Sequence, residues 1–162
     1  MYFSGRLQLV STPYEIVDGI MSLLDIDWYD AFYDLGCGDG RVVVEAAKRG
    51  AYGVCIEYNK MLCNIAGVMS SVANVEERVK IICRDMFDLD LSSLDPKPSV
   101  VYLYHYPSTL DRLALKLAKE LDPGVVIVSL DMPLSSWRPD AVIPVKDLLG
   151  STWLLWVYLI DP

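Results

Sequence analysis

Asp34-Leu35-Gly36-Cys37-Gly38-Asp39-Gly40 is the stretch on which the reading of this chain turns. It continues Ala31-Phe32-Tyr33, an apolar run that reads as a short strand through Asp34-Leu35. It precedes Val42, Val43, Val44, Ala46 and Ala47, a compact helix stopped by Gly50. Glycines at 36, 38 and 40 let backbone approach a ligand closely, and they leave the amides of the helix N-terminus pointing at it. The natural occupant is nucleotide-like.

Spacing discriminates between such occupants. The dinucleotide pattern GxGxxG needs its third glycine for close helix–strand packing, and Arg41 stands at that position here. Bulk there argues against a dinucleotide. Asp34 places a carboxylate where the loop begins, which would repel a pyrophosphate and suits the ammonium group of an amino-acid-bearing cofactor such as S-adenosyl-L-methionine. Glu57 falls at the end of the next strand, where a carboxylate can accept from two ribose hydroxyls, with Tyr58 beside it to stack on adenine. Asp85-Met86 follows the third strand, so the acid can accept from the adenine amino group while the thioether covers the base.

Outward from this loop, strands and helices alternate. Thr12-Pro13 resembles a helix start, Thr as cap and Pro as first residue, and Ile16, Val17, Ile20, Leu23 and Leu24 recur at helical spacing. Residues 52–57, 79–83, 99–104 and 125–130 read as strands, apolar on both faces as a doubly covered sheet requires. Met61 to Val72 reads as a helix. Leu110, Leu113, Leu115, Leu117, Ala118 and Leu121 form another, ended by Asp122-Pro123-Gly124. Ala141 to Lys146 and Ser151 to Ile160 are separated only by Asp147-Leu148-Leu149-Gly150, too short for a crossover, so they pair as an antiparallel hairpin. The expected architecture is α/β, with the antiparallel strand at the sheet edge.

At 162 residues the chain fits a single domain, 1–162, whose segment 1–28 leads helically into the core, and specificity then comes from loops. An apolar content of 53% with 22% charged residues excludes disorder and a coiled coil. Its longest apolar run, Trp153 to Ile160, is far too short to span a bilayer as a helix. Met1 to Arg6 lack the basic segment and apolar run of a secretory signal, which points to the cytoplasm. Cys37, Cys55, Cys63 and Cys83 form no CxxC pair and the chain holds one histidine, so no metal site is expected and the cysteines read as buried free thiols. A formal charge of −8 disfavours a nucleic-acid binder and accommodates a cationic partner.

The DxGxGxG loop with Glu57 and Asp85 resembles the seven-stranded, class I S-adenosylmethionine-dependent methyltransferases over nearly the whole chain. That implies a Rossmann-like, doubly wound, mostly parallel seven-stranded sheet with an antiparallel C-terminal hairpin strand. Ser11-Thr12-Pro13-Tyr14-Glu15-Ile16-Val17 and Asp131-Met132-Pro133-Leu134-Ser135-Ser136-Trp137-Arg138-Pro139-Asp140 are similar to segments of the small archaeal protein-lysine methyltransferases and their mitochondrial relatives. The resemblance implies methylation of lysine side-chain amines on proteins, with broad selectivity. It sets Thr12 with Asp34, Gly36, Gly38, Glu57, Tyr58, Asp85 and Met86 as cofactor residues. After strand four, methyltransferases acting on bases or glutamine carry an Asn-or-Asp-Pro-Pro-aromatic motif. This chain instead reads Tyr104-His105-Tyr106-Pro107, against a planar amide or base amine as acceptor.

Methyl transfer to an amine needs alignment and exclusion of water more than a strong base. Tyr104, His105 and Tyr106 at the tip of strand four are the catalytic candidates: the tyrosines as walls that favour the neutral amine, together with Tyr102 or with Tyr102 in the core, and His105 as a proton acceptor. Trp137 either flanks the substrate entrance or caps the core. Two rival readings are a small-molecule methyltransferase, for which no obvious lid segment exists, and a noncatalytic S-adenosylmethionine-binding module that partners another methyltransferase.

Overall fold

The computed structural model describes residues 10–162; the N-terminal hexapeptide read above lies outside them. Tyr14–Leu23 forms helix α1, followed by strand β1 (Ala31–Leu35), α2 (Arg41–Lys48), β2 (Tyr52–Ile56), α3 (Lys60–Val72), β3 (Val79–Ile82), β4 (Val100–Leu103), α4 (Pro107–Glu120), β5 (Val126–Leu130), β6 (Ala141–Lys146) and β7 (Thr152–Leu159). The seven strands make one sheet in the order β3-β2-β1-β4-β5-β7-β6.

The first five strands are parallel and β7 runs against both its neighbours, β5 and β6. The expected hairpin is present, but its antiparallel strand is not the edge. β7 slots in beside β5, and β6 becomes the outermost strand. β1 lies between β2 and β4, so the chain winds outward in one direction and then in the other; ligands bind beyond the carboxyl ends of strands at such a switch point. Register sharpens the placement. Leu35 pairs with both Ile56 and Leu103, Ile56 with Ile82, and Leu103 with Ser129, so the residues that follow these ends share one rim of the sheet.

Alternation along the strands divides the core into two layers. Phe32, Cys55, Val100, Tyr102, Val128 and Leu155 pack under α1 and α2 with Ile16, Val17, Ile20, Val42, Val43 and Ala46. Tyr33, Leu35, Val54, Ile56, Val101, Leu103 and Ile127 pack under α4, which contributes Leu110, Leu113, Ala114 and Leu117. Burying one such leucine stabilises the fold by roughly 1.5–3 kcal/mol.

Four sequence expectations change. No α-helix joins β3 to β4; two short 3-10 turns, Met86–Asp88 and Leu91–Ser93, do so, capped by the carboxylates of Asp85 and Asp90. Pro13, not Thr12, stands at the cap of α1, without a side-chain cap bond, because the Thr12 hydroxyl is bonded to the Tyr102 hydroxyl at 2.7 Å. β4 ends at Leu103 rather than Tyr104, and Pro107 opens α4 while holding Tyr106 extended at φ −68°, ψ 155°. The cysteines are not free thiols: Cys37 bonds Cys55 and Cys63 bonds Cys83, with Cα separations of 5.3 and 5.9 Å. Spacings of 18 and 20 residues carry no pairing signal in a sequence, and the parallel register of neighbouring βα units is what brings these side chains together.

Candidate active site

The cofactor loop is built by backbone hydrogen bonds across the strand rim. Gly36 and Cys37 both donate to the Ile56 carbonyl, at 2.7 and 3.1 Å, and Gly40 donates to the Cys37 carbonyl at 3.0 Å. Such a tight turn requires left-handed backbone, and Gly36 and Gly40 have φ of +85° and +81°. Close approach is a second reason for both. A Cβ on Gly36 would sit 2.6 Å from His105 Cε1, and one on Gly40 would sit 2.8 Å from the Ala66 Cβ of α3. Gly40 therefore provides close packing without the GxGxxG spacing, toward the next helix rather than the strand. The Arg41 that follows folds back on Asp39 (Nη2 to Oδ2, 2.7 Å), donates to the Thr12 carbonyl at 3.2 Å and lies over the Tyr14 ring. It clamps the start of α2 to the segment before α1.

Above the loop lies a cleft of about 340 Å³, lined by Thr12, Asp34, Gly36, Gly38, Glu57, Tyr58, Asp85, Met86, Tyr102, Tyr104, His105 and Tyr106 among others. The structure thus brings the candidate cofactor and catalytic residues read from the sequence to one cavity, Trp137 excepted. Glu57 is buried, its Oε2 accepting from Gly38 N and its Oε1 from Asn59 N, each at 3.0 Å. These bonds fix the carboxylate. Asn59 in turn caps α3 through Met61 N and Leu62 N. Asp34 is 3% exposed, and no described hydrogen bond reaches its carboxylate. Burial, followed by the charges of Glu57 and Asp39, holds its pKa well above the usual carboxylate range.

This donor set fits S-adenosyl-L-methionine. A desolvated acid beside two others gains by receiving a cation, and the cofactor carries an ammonium and a sulfonium with no phosphate. Asp34, the buried Thr12 and Glu57 line the cleft together. Asp85, whose Oδ1 accepts from Phe87 N at 2.9 Å, lines the cleft beside half-buried Met86. Tyr58, which is exposed, also lines the cleft.

Aromatic residues line the same cleft. Tyr102 is buried, and burial followed by the charge of Asp34 raises its pKa far from neutrality. Tyr104 and Tyr106 are half-buried, and Tyr104 meets Trp153 edge-on with ring centroids 6.3 Å apart. His105 packs its ring on Gly36 and donates from Nε2 to the Leu35 carbonyl, which leaves Nδ1 as the nitrogen able to accept a proton. Burial pushes its pKa down to about 4, so the ring is neutral near pH 7 and a weak base. Trp137 lies elsewhere, edge-on to Tyr158 at 6.0 Å and against the α4-side core, which makes it a core cap. Sequence reading missed Arg41, Arg84, Phe87, Thr109 and Arg112, which also line the cleft. Arg112 stacks 3.8 Å from the Phe87 ring centroid, a tertiary contact between the β3–β4 connection and α4 that no local pattern signals.

Sheet order, loop and acid triad together define a Rossmann-like methyltransferase dependent on S-adenosyl-L-methionine. The chain belongs to the ANTKMT methyltransferase domain family, which matches residues 34–141. It is 31% identical over 156 residues to a protein-lysine N-methyltransferase of Saccharolobus islandicus (strain REY15A), covering 91% of this chain and 90% of that protein. It is 32% identical over 111 residues to the adenine nucleotide translocase lysine N-methyltransferase of Mus musculus, covering 68% of this chain and 47% of that protein. Among solved structures it resembles one described as an RNA methyltransferase from Salinibacter ruber in complex with S-adenosyl-L-homocysteine, with TM-score 0.83, 36% identity and 94% of each chain covered.

Proposed function

We propose that this methyltransferase acts on lysine ε-amines of proteins. The observation that carries the reading is the acceptor end of the cleft, where Tyr104, His105 and Tyr106 present aromatic walls and no Asn/Asp-Pro-Pro motif for a planar amine. The protein-lysine N-methyltransferase from Saccharolobus islandicus, similar across nearly the full length, supports it. The likeness to a structure described as an RNA methyltransferase weighs less, because a chain of net charge −8 repels a phosphate backbone.

In this proposal residues 1–162 work as one domain on protein substrates, without engaging nucleic acid or membrane, and in the cytoplasm, a compartment in which the two disulfides are unusual. Among the described residues no helix is long and apolar enough to cross a membrane. Asp34, Thr12, Gly36 and Gly38 hold the amino-acid end of the cofactor, Glu57 its ribose, and Tyr58, Asp85 and Met86 its base. Bound there, the cofactor supplies an electrophilic methyl on sulfur. The chain aligns an amine lone pair with it and excludes water. Tyr104 and Tyr106 desolvate the amine, which lowers its pKa and favours the neutral nucleophile. The low basicity of His105 suits a brace for the loop better than a strong base.

Incubating the chain with methyl-labelled cofactor and mixed cell protein, RNA and metabolites tests the reading. Label on lysine side chains, read by mass spectrometry, is the expected result. Label confined to RNA or to metabolites overturns it.

A further inference from the structure

Asp131, the residue after β5, stands in left-handed backbone at φ +64°. Glycine or asparagine satisfies such a position at least as well, so the turn by itself does not call for a charge. The backbone around it is tied to β7: Asp131 N donates to the Leu154 carbonyl at 2.7 Å, and the Asp131 carbonyl accepts from Trp156 Nε1 at 3.1 Å. Of the carboxylate, Oδ1 accepts weakly from Leu154 N at 3.3 Å, while no described hydrogen bond or ion pair engages Oδ2. The group is half-buried at the carboxyl end of the strand next to β4, on the rim that carries Tyr104. Its charge is felt there. After burial, Asp131 is the next influence raising the Tyr104 phenol, and it also acts on Tyr102.

Beside it the hairpin supplies a second aromatic wall. Trp153, just before Leu154, meets Tyr104 at an interplanar angle of 67°, and Trp153 Nε1 donates to Asp147 Oδ2 at 3.0 Å, which fixes the indole. A carboxylate whose charge reaches Tyr104, with Trp153 against that ring, matches an alkylammonium, by charge pairing at the head and by aromatic surface along the stem.

We propose that Asp131, with Tyr104 and Trp153, is the specificity-determining station that receives the acceptor as a cationic alkylamine; the proposal rests on the lysine reading above. The ammonium docks against Oδ2 and sheds a proton to solvent. The nitrogen lone pair then forms the N–C bond as the C–S bond breaks, the electron pair staying on sulfur. Asp131 selects the substrate, while a carboxylate opposes loss of the proton, so its effect falls on KM more than on kcat.

Asp131→Asn isolates the charge, because asparagine tolerates the same φ and keeps an oxygen for Leu154 N. With a lysine peptide, KM should rise about tenfold or more, while the affinity for S-adenosyl-L-homocysteine and Tm stay unchanged. Asp131→Glu should recover part of the loss. An unchanged KM overturns the proposal, as does a KM rise matched by equal loss of S-adenosyl-L-homocysteine affinity. A second measurement separates this proposal from the lysine reading: NMR titration of Nα-acetyl-lysine amide and of its uncharged norleucine counterpart into the S-adenosyl-L-homocysteine complex. Binding of the cation alone, lost in Asp131→Asn, upholds the station even if lysine in proteins is not methylated. Equal binding of both probes, or no binding, overturns it.

Discussion

Glu57→Ala should weaken S-adenosyl-L-homocysteine binding by about 100-fold or more, since two hydrogen bonds to a charged acceptor contribute on the order of 1.5–3 kcal/mol each. The effect has a second source within the protein. Glu57 is buried and accepts from Gly38 N and Asn59 N, so truncation leaves both amides without that partner and loosens the loop together with the start of α3. Glu57→Gln retains one acceptor oxygen and should fall between. His105→Ala should cost far less, about tenfold or below, because the ring braces Gly36 from the acceptor side and is not placed against the ribose. Calorimetric titration of the three variants checks the order. A larger loss for His105→Ala than for Glu57→Ala would reverse the roles assigned to the two residues.

Asp34→Asn should separate stability from binding. The folded-state pKa of Asp34 is raised, above all by burial, so the protonated form contributes stability that is fully present below the ordinary value of 3.8 and is lost as pH rises through the folded value. Near neutrality the apo protein carries the cost of a desolvated carboxylate, which a neutral asparagine removes, so Tm of the apo form should rise. Cofactor affinity should move the other way, falling by about tenfold or more because the ammonium loses its counter-charge. In the wild type, affinity should climb with pH as Asp34 ionises, and in Asp34→Asn that slope should disappear. Thermal melts and titrations across the acid-to-neutral range read both. A variant with lower apo Tm and an unaltered pH slope would show that Asp34 serves packing instead.

Local signals made most of this arrangement legible. Glycine spacing, apolar runs on both faces and the short Asp147–Gly150 link are properties of neighbouring residues, and they gave the strands, the loop and the hairpin within a residue or two. What escaped depended on distant partners. The placement of β7 inside β6 follows from packing against β5, which no turn signal encodes. Thr12 reads as a cap in isolation, yet its hydroxyl meets Tyr102, 90 residues away. Cysteine pairing and the Arg112–Phe87 contact are tertiary in the same sense. Asp131 was visible only as part of a segment resemblance. Its left-handed backbone and its position beside Tyr104 emerge once β5 and β7 are paired.

Diffraction from crystals of this chain grown with S-adenosyl-L-homocysteine tests the central claim most directly. The account predicts the ligand's amino group on Asp34, its ribose hydroxyls on Glu57 and its adenine between Tyr58 and Met86 within reach of Asp85, with sulfur facing Tyr104. A nucleoside seated away from these three carboxylates, or one whose sulfur turns from Tyr104 toward solvent, would contradict it.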